Sequence, residues 1–319
     1  MSDKQSVLKV SNDLLICTAC GTQYSATDRA TKTECQICDD PRQYVPAGGQ
    51  NFTTLHDLTL HHRNIWWQDP HHPQVFSVRT VPDFAIGNRA ELIRTPQGNV
   101  LWDLIPLLDH TTVTLIQALG GLDAIVISHP HYYSSWTDWS RTFKCPVYVG
   151  APDKEWLQRT DTEGADIRFL NNQYTLIPVG GRTDVGITAI LAGGHFPGSL
   201  MLHYQDLLFV ADTVLPSPSA TDPIPGRPGK TSFSFFYSIP NRIPLAPKDI
   251  LYIWRCVEKL EFQTVFGAFE GMDVYTADNE KERKTGGVKG RLLESCKIFV
   301  RGAGWRKGDA DVGILSIQI

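Results

Sequence analysis

The stretch A-I-V-I-S-H-P-H-Y-Y-S-S, Ala124–Ser135, decides how this chain is read. It opens with an apolar run, Ala124 to Ile127, of the length and composition of a buried strand. His129 and His131 follow one residue apart, where the strand gives way to a loop. Side chains two apart on extended backbone share a face, so both imidazoles converge on one point even as the chain leaves the sheet. The pair reads as half of a metal site. What comes next is not a further ligand but Tyr132, Tyr133, Ser134 and Ser135.

Working outward, "AELIRT" and "NVLWDL" read as a hairpin with Pro96 to Gly98 as its turn, and "HTTVTLIQALGG" as a helix stopped by Gly120 and Gly121. Downstream, "CPVYVG", "GITAILAG", "LMLHYQ" and "DLLFVAD" read as strands, and "APDKEWLQR" as a capped helix start. Polar chemistry sits at strand ends. Asp103 ends "NVLWD", His129 and His131 follow "AIVIS", His195 lies in "AGGHFPGS", and Asp212 ends "LLFVAD". Gly193 and Gly194 give the backbone room to turn tightly before His195, and Pro197 and Gly198 turn it again afterwards.

This order of motifs, from Asp103 through "SHPH" and "GGHFPGS" to "FVADT", resembles the metallo-β-lactamase-fold superfamily. The resemblance implies an α/β fold, a four-layer αββα sandwich with a metal site at one edge of its two sheets. The family motif H-x-H-x-D-H reads here as His129, Pro130, His131, Tyr132, Tyr133, Ser134. By the resemblance, His129, His131 and His195 hold one zinc and Asp212 is the carboxylate that bridges two metals. Tyr133 and Ser134 stand where the second metal's Asp and His belong. No histidine follows His203, so the family's late histidine is absent as well. Glu270 reads as an ordinary solvated glutamate before a glycine.

The remaining set suffices for mononuclear chemistry. Three neutral imidazoles leave Zn²⁺ its full charge and an open position, and such an ion lowers the pKa of a bound water to roughly 7. Asp212 then accepts a hydrogen bond from that water or acts as general base. Tyr132 or Tyr133 either donates to a developing oxyanion or simply fills vacated space. The leading reading is a mononuclear zinc-dependent hydrolase attacking an ester, thioester, lactone or amide carbonyl of a small-molecule substrate. The competing reading is a non-catalytic metal-binding or interaction protein that retains the fold. Phosphodiester cleavage is disfavoured, because it rests on two metals clamping the attacking and leaving oxygens.

A second constellation lies ahead of this region. Cys17 and Cys20, then Cys35 and Cys38, form two C-x2-C pairs separated by fourteen residues. Four thiolates on two tight turns suit tetrahedral Zn²⁺ at about 2.3 Å and leave no open position, so the expected role is structural; iron in the same cage and redox thiols are the alternatives. The module resembles a zinc ribbon or rubredoxin-like knuckle. Its Arg29, Lys32 and Arg42 are outnumbered by Asp28, Glu34, Asp39 and Asp40, which argues against phosphate binding. The scattered Cys145, Cys256 and Cys296 read as core thiols.

The expected division of the 319 residues is a four-cysteine module over 1–48, a His- and Trp-rich connector over 49–74, and a metallo-β-lactamase-like domain over 75–319. A net charge of −4 gives no field to gather nucleic acid or an anionic membrane, although an oligomer is compatible with it. No run approaches the ~20 apolar residues of a membrane-spanning helix, and "LLIC" is too short for a signal-peptide core. A cytoplasmic location is therefore expected. Residues 214–245, rich in Pro, Ser and Phe, read as a long ordered loop draped over the metal site, its aromatics lining a pocket or a dimer contact. "APKDILYIWRCVEKLEF" reads as an amphipathic helix with Pro247 in its first turn, "NEKERKTGGVKGR" as a solvated charge run, and "LLESCKIFVRGAGW" as a final helix.

Overall fold

The computed structural model describes residues 8–221, 232–276 and 285–318. The chain divides into two compact units, Met1–Leu170 with Leu176–Val185, and Asn171–Thr175 with Gly186–Ile319.

In the first unit, β1 (Leu15–Cys17) pairs antiparallel with β2 (Phe52–Thr54), which brings Cys17 opposite Phe52. Helix α1 (Leu55–His61) starts at Thr54, whose side chain accepts the Asp57 N–H, and buries Leu55 and Leu58. The seven-stranded sheet runs in chain order: β3 (Arg63–Gln68), β4 (Val75–Val81), β5 (Arg89–Thr95), β6 (Gly98–Trp102), β7 (Ala124–Val126), β8 (Pro146–Gly150) and β9 (Asp166–Leu170). The segment read as a connector thus carries β2, α1 and β3. Trp66 and Trp67 pair across with Val78 and Ser77, giving this stretch a ladder that its unusual composition hid.

Strands β3 to β6 are antiparallel neighbours, and β6 to β9 are parallel. The change of direction is made by α2 (His110–Ala118), which returns the chain from β6 to β7. Asp109 caps α2 by accepting the Thr112 N–H at 2.7 Å, and Gly120 and Gly121, both at positive φ, release the chain after it. Beyond β7, the loop holding His129 and His131 leads through a 3-10 turn, Pro130–Tyr132, into α3 (Trp136–Phe143). The expected helix start after β8 is a 3-10 segment, Ala151–Trp156. Its N-cap is Gly150, which has no side chain to satisfy the first amides.

The second unit contains β10 (Tyr174–Leu176), β11 (Thr188–Leu191), β12 (Leu200–Tyr204) and β13 (Leu207–Phe209). The ribbon β14 (Leu215–Pro216), α4 (Pro218–Thr221), β15 (Phe233–Ser234), β16 (Phe236–Ser238) and β17 (Ile243–Pro244) follows. Helix α5 (Pro247–Val257) then leads to β18 (Thr264–Phe266), β19 (Val274–Tyr275) and the C-terminal helix Gly287–Gly302. The six-stranded sheet has the order β10-β11-β12-β13-β18-β19. Pro247 opens α5 as expected, and Ile250, Ile253, Trp254 and Val257 turn toward a core shared with Leu292, Leu293, Cys296 and Val300 of the C-terminal helix.

The aromatics of the 214–245 segment are only partly where a pocket-lining loop would hold them. Phe233 and Phe235 are fully buried in this core, and the Ser295 hydroxyl accepts the Ser232 and Phe233 N–H groups at 2.9 and 3.2 Å. Large apolar rings gain more from burial than from a solvated rim. Residues 222–231 and 277–284, the latter with the first part of the charge run, Asn279 to Lys284, lie outside the described residues. Among the described residues no helix is long and apolar enough to cross a membrane.

Candidate metal centres

The four cysteines meet as expected. Cys17 and Cys38 Sγ lie 3.7 Å apart, Cys20 and Cys35 Sγ 3.6 Å apart, and all four residues are buried. Tetrahedral thiolates at ~2.3 Å from an ion stand about 3.8 Å from one another, so the spacing suits one zinc-sized ion and not a disulfide. Each pair is held by a local turn: Gly21 N–H donates to Cys17 C=O at 2.9 Å, and Asp39 N–H to Cys35 C=O at 2.9 Å. The Tyr24 hydroxyl donates to Cys35 Sγ at 3.0 Å. Hydrogen bonding from Cys20 lowers the Cys17 thiol and hydrogen bonding from Cys17 lowers Cys35, while burial raises Cys20.

The second group is His129, His131, His195 and Asp212, each offering one ligand atom, all within 4.8 Å of one another and all buried. The β6–β7 pair aims the first two. Asp103, at the end of β6, has φ +60 and no exposure, and its Oδ1 accepts the Ser128 N–H at 2.7 Å. That bond fixes the strand end just before His129. The Ser128 hydroxyl lies 2.8 Å from His129 Nδ1, and the Tyr132 ring meets the His129 ring edge-on at 4.5 Å. His129 and His131 rings stand 5.0 Å apart.

The loop after β11 aims the third. Gly194 sits at φ +91, where a Cβ would meet Thr213 Cγ2 at 3.0 Å and Ile253 Cδ1 at 3.1 Å. A side chain here would strain the backbone and crowd both neighbours. His195 N–H donates to Thr213 Oγ1 at 3.2 Å, and that hydroxyl donates to Gly193 C=O at 2.8 Å. On the ring, Nδ1 lies 3.2 Å from the Phe236 carbonyl, which requires its proton there and leaves the Nε2 lone pair on the side of Asp212, 3.7 Å away. A histidine with one nitrogen committed to a carbonyl or hydroxyl and the other directed at a carboxylate-containing cluster is the donor arrangement of a metal ligand. The residues therefore fit a divalent ion.

Tyr132 and Tyr133 follow directly. Tyr132 is buried against His129. Tyr133 is buried too, its hydroxyl has no hydrogen-bond partner among the described residues, and burial, with the charge of Asp153, raises its phenol well above the ordinary value. Glu270 is in neither ligand group. Sequence reasoning missed the Ser128 hydroxyl, the Phe236 carbonyl and the Tyr24 hydroxyl. Ser128 is visible beside His129, whereas a main-chain carbonyl 41 residues from its partner leaves no residue-type signal.

Residues 92–238 belong to the metallo-β-lactamase superfamily by the match to its family model, and the chain has a mixed α/β fold of sheets and helices. Among curated proteins it is 35% identical over 276 residues to the uncharacterized protein YmaE of Bacillus subtilis (strain 168), covering 84% of this chain and 93% of that one. Similar solved structures include the DIM-1 metallo-β-lactamase exposed to ceftazidime, at 13% identity and TM-score 0.49, covering 74% of this chain and 97% of that one. The FIM-1 metallo-β-lactamase of Pseudomonas aeruginosa in its mono-zinc form is another, at 10% identity and TM-score 0.48, covering 76% and 97%.

Proposed function

We propose that this chain is a cytoplasmic, mononuclear zinc-dependent hydrolase of small acyl compounds, with a second, structural zinc in its four-cysteine module. The observation that carries the reading is the buried convergence of His129, His131, His195 and Asp212. Tyr133 and Ser134, where the family's second-metal ligands would stand, support one ion rather than two. When bound, the ion supplies a Lewis acid and makes water a nucleophile near neutral pH.

The chain's own groups account for the rest. Ser128 and the Phe236 carbonyl hold the imidazoles of His129 and His195 in orientation. Asp212, next to His195 and only slightly exposed, is placed to take a proton from a water in the site. Tyr133 keeps its phenolic proton across neutral and mildly alkaline pH, and serves as the donor to a developing oxyanion on a carbonyl substrate. Ester, thioester, lactone and amide carbonyls share that charge development, so they define the substrate class.

The test is a panel of acyl esters, thioesters, lactones and amides offered to zinc-loaded protein, with Asp212→Asn and Tyr133→Phe alongside. The expected result is turnover of at least one member, a kcat loss of about 10²–10⁴-fold in Asp212→Asn and of about 10²-fold in Tyr133→Phe. No turnover anywhere, by protein that holds both metals, assigns the chain to the binding-only class.

A further inference from the structure

The four-cysteine module hydrogen-bonds, through Gln23, to the loop that carries His129 and His131. We propose that the knuckle is the buttress of that loop, with Gln23 as the positioning residue, so that metal in the cysteine cage governs metal affinity at the histidine site. This inference rests on the reading of His129, His131, His195 and Asp212 as a metal site.

Ser134 closes the "HPHYYS" loop at φ +46, a left-handed conformation uncommon for a residue with a Cβ. Such backbone persists where its surroundings over-determine it. Here the Ser134 carbonyl accepts the Gln23 N–H at 3.2 Å. The same knuckle turn passes close to Pro106, which the loop also meets: a Cβ on Gly21 would stand 2.6 Å from Pro106 Cγ, and the Ser135 hydroxyl lies 3.5 Å from the Pro106 carbonyl.

Gln23 is itself fixed from two directions. From the cage, Cys17 N–H donates to Thr22 C=O at 2.9 Å and Gly21 N–H to Cys17 C=O at 2.9 Å, so the turn leading to Gln23 has the shape the cysteine ligands impose. From the helix after the loop, Arg159 donates to Gln23 Oε1 and pairs with Asp138 in the first turn of α3 at 3.4 Å; both charged side chains are fully buried. Asp138 also accepts the Ser11 N–H at 2.9 Å and the Ser11 hydroxyl at 3.0 Å, while Gln23 Nε2 donates to Ser11 C=O at 3.3 Å. Ser11, Gln23, Asp138 and Arg159 thus form one polar network, buried but for Ser11, that joins the knuckle to Ser134 and to the first turn of α3. A module this small draws its folding free energy from its metal, so emptying the cage releases Gln23 and, through it, Ser134.

The experiment measures zinc affinity at the histidine site by chelator competition, with the cysteine site loaded. Gln23→Pro deletes the N–H; Gln23→Glu keeps it together with an acceptor for Arg159. The expected result is about tenfold or greater weakening in Gln23→Pro, near-wild-type affinity in Gln23→Glu, and a matching change in the visible spectrum of cobalt placed at the histidine site. A Gln23→Pro protein that keeps its cysteine-site zinc and binds the second zinc with wild-type affinity overturns the proposal. Should Gln23→Pro fail to fold, wild-type protein decides: a mercurial that strips the cage must weaken the histidine site while circular dichroism stays native, and an unchanged affinity overturns the proposal. Wild-type protein that takes up only one zinc at the outset sinks the metal-site reading itself, a separate outcome.

Discussion

His129 and His195 each have one ring nitrogen engaged: the Phe236 carbonyl, an acceptor only, sets the His195 tautomer, while the Ser128 hydroxyl, which donates or accepts, orients the His129 ring. Ser128→Ala is expected to weaken zinc binding at the histidine site by about tenfold without touching the cysteine site; calorimetric titration with zinc checks it. Cys145 gives a residue-scale test of the core. Burial pushes its thiol from the ordinary 9.0 up to about 12. Between those values the unfolded chain has lost this proton and the folded chain still holds it, so stability falls as pH rises through the window, by up to ~1.4 kcal/mol per pH unit. Denaturant unfolding between pH 9 and 11 should show a shallower decline in Cys145→Ala, and an unchanged slope contradicts the assignment. At this scale the sequence was legible wherever residue type carries the chemistry: all eight candidate ligands stand out by identity and spacing. It was silent on the Phe236 carbonyl, because every residue has one.

Among the elements, the strands announced themselves through apolar runs that end in polar residues, and Asp109, Gly120 and Gly121 marked α2. Three segments were harder. Ala151–Trp156 has helical composition but no capping side chain, and winds as a 3-10 turn. The His- and Trp-rich stretch before Gln68 hid β3, whose ladder with β4 depends on a partner strand the local pattern does not contain. Phe233 and Phe235 went to the core because the C-terminal helix supplies Ser295 to bind their segment's backbone. The loop from Gly193 to Ser199 carries this scale's prediction. Gly194→Ala places a Cβ against Thr213 and Ile253 at positive φ, and is expected to cost about 1–3 kcal/mol of stability and to weaken the histidine site, read by thermal unfolding with and without zinc. Wild-type stability in this variant contradicts the packing described.

Across the whole molecule, two ligand groups of different chemistry share one chain: four cysteines, and three histidines with an aspartate. Four thiolates around one ion make a closed set that suits a structural role. Both groups were readable before any coordinates, because ligand identity survives in sequence even where geometry does not. The link from Gln23 to Ser134 was not, since it joins main-chain groups from distant segments. The most direct measurement is metal content per chain by elemental analysis, on wild type and on the His129→Ala, His131→Ala double variant, purified without chelator. The account predicts two zinc ions per wild-type chain and one in the variant; a single zinc in both contradicts it.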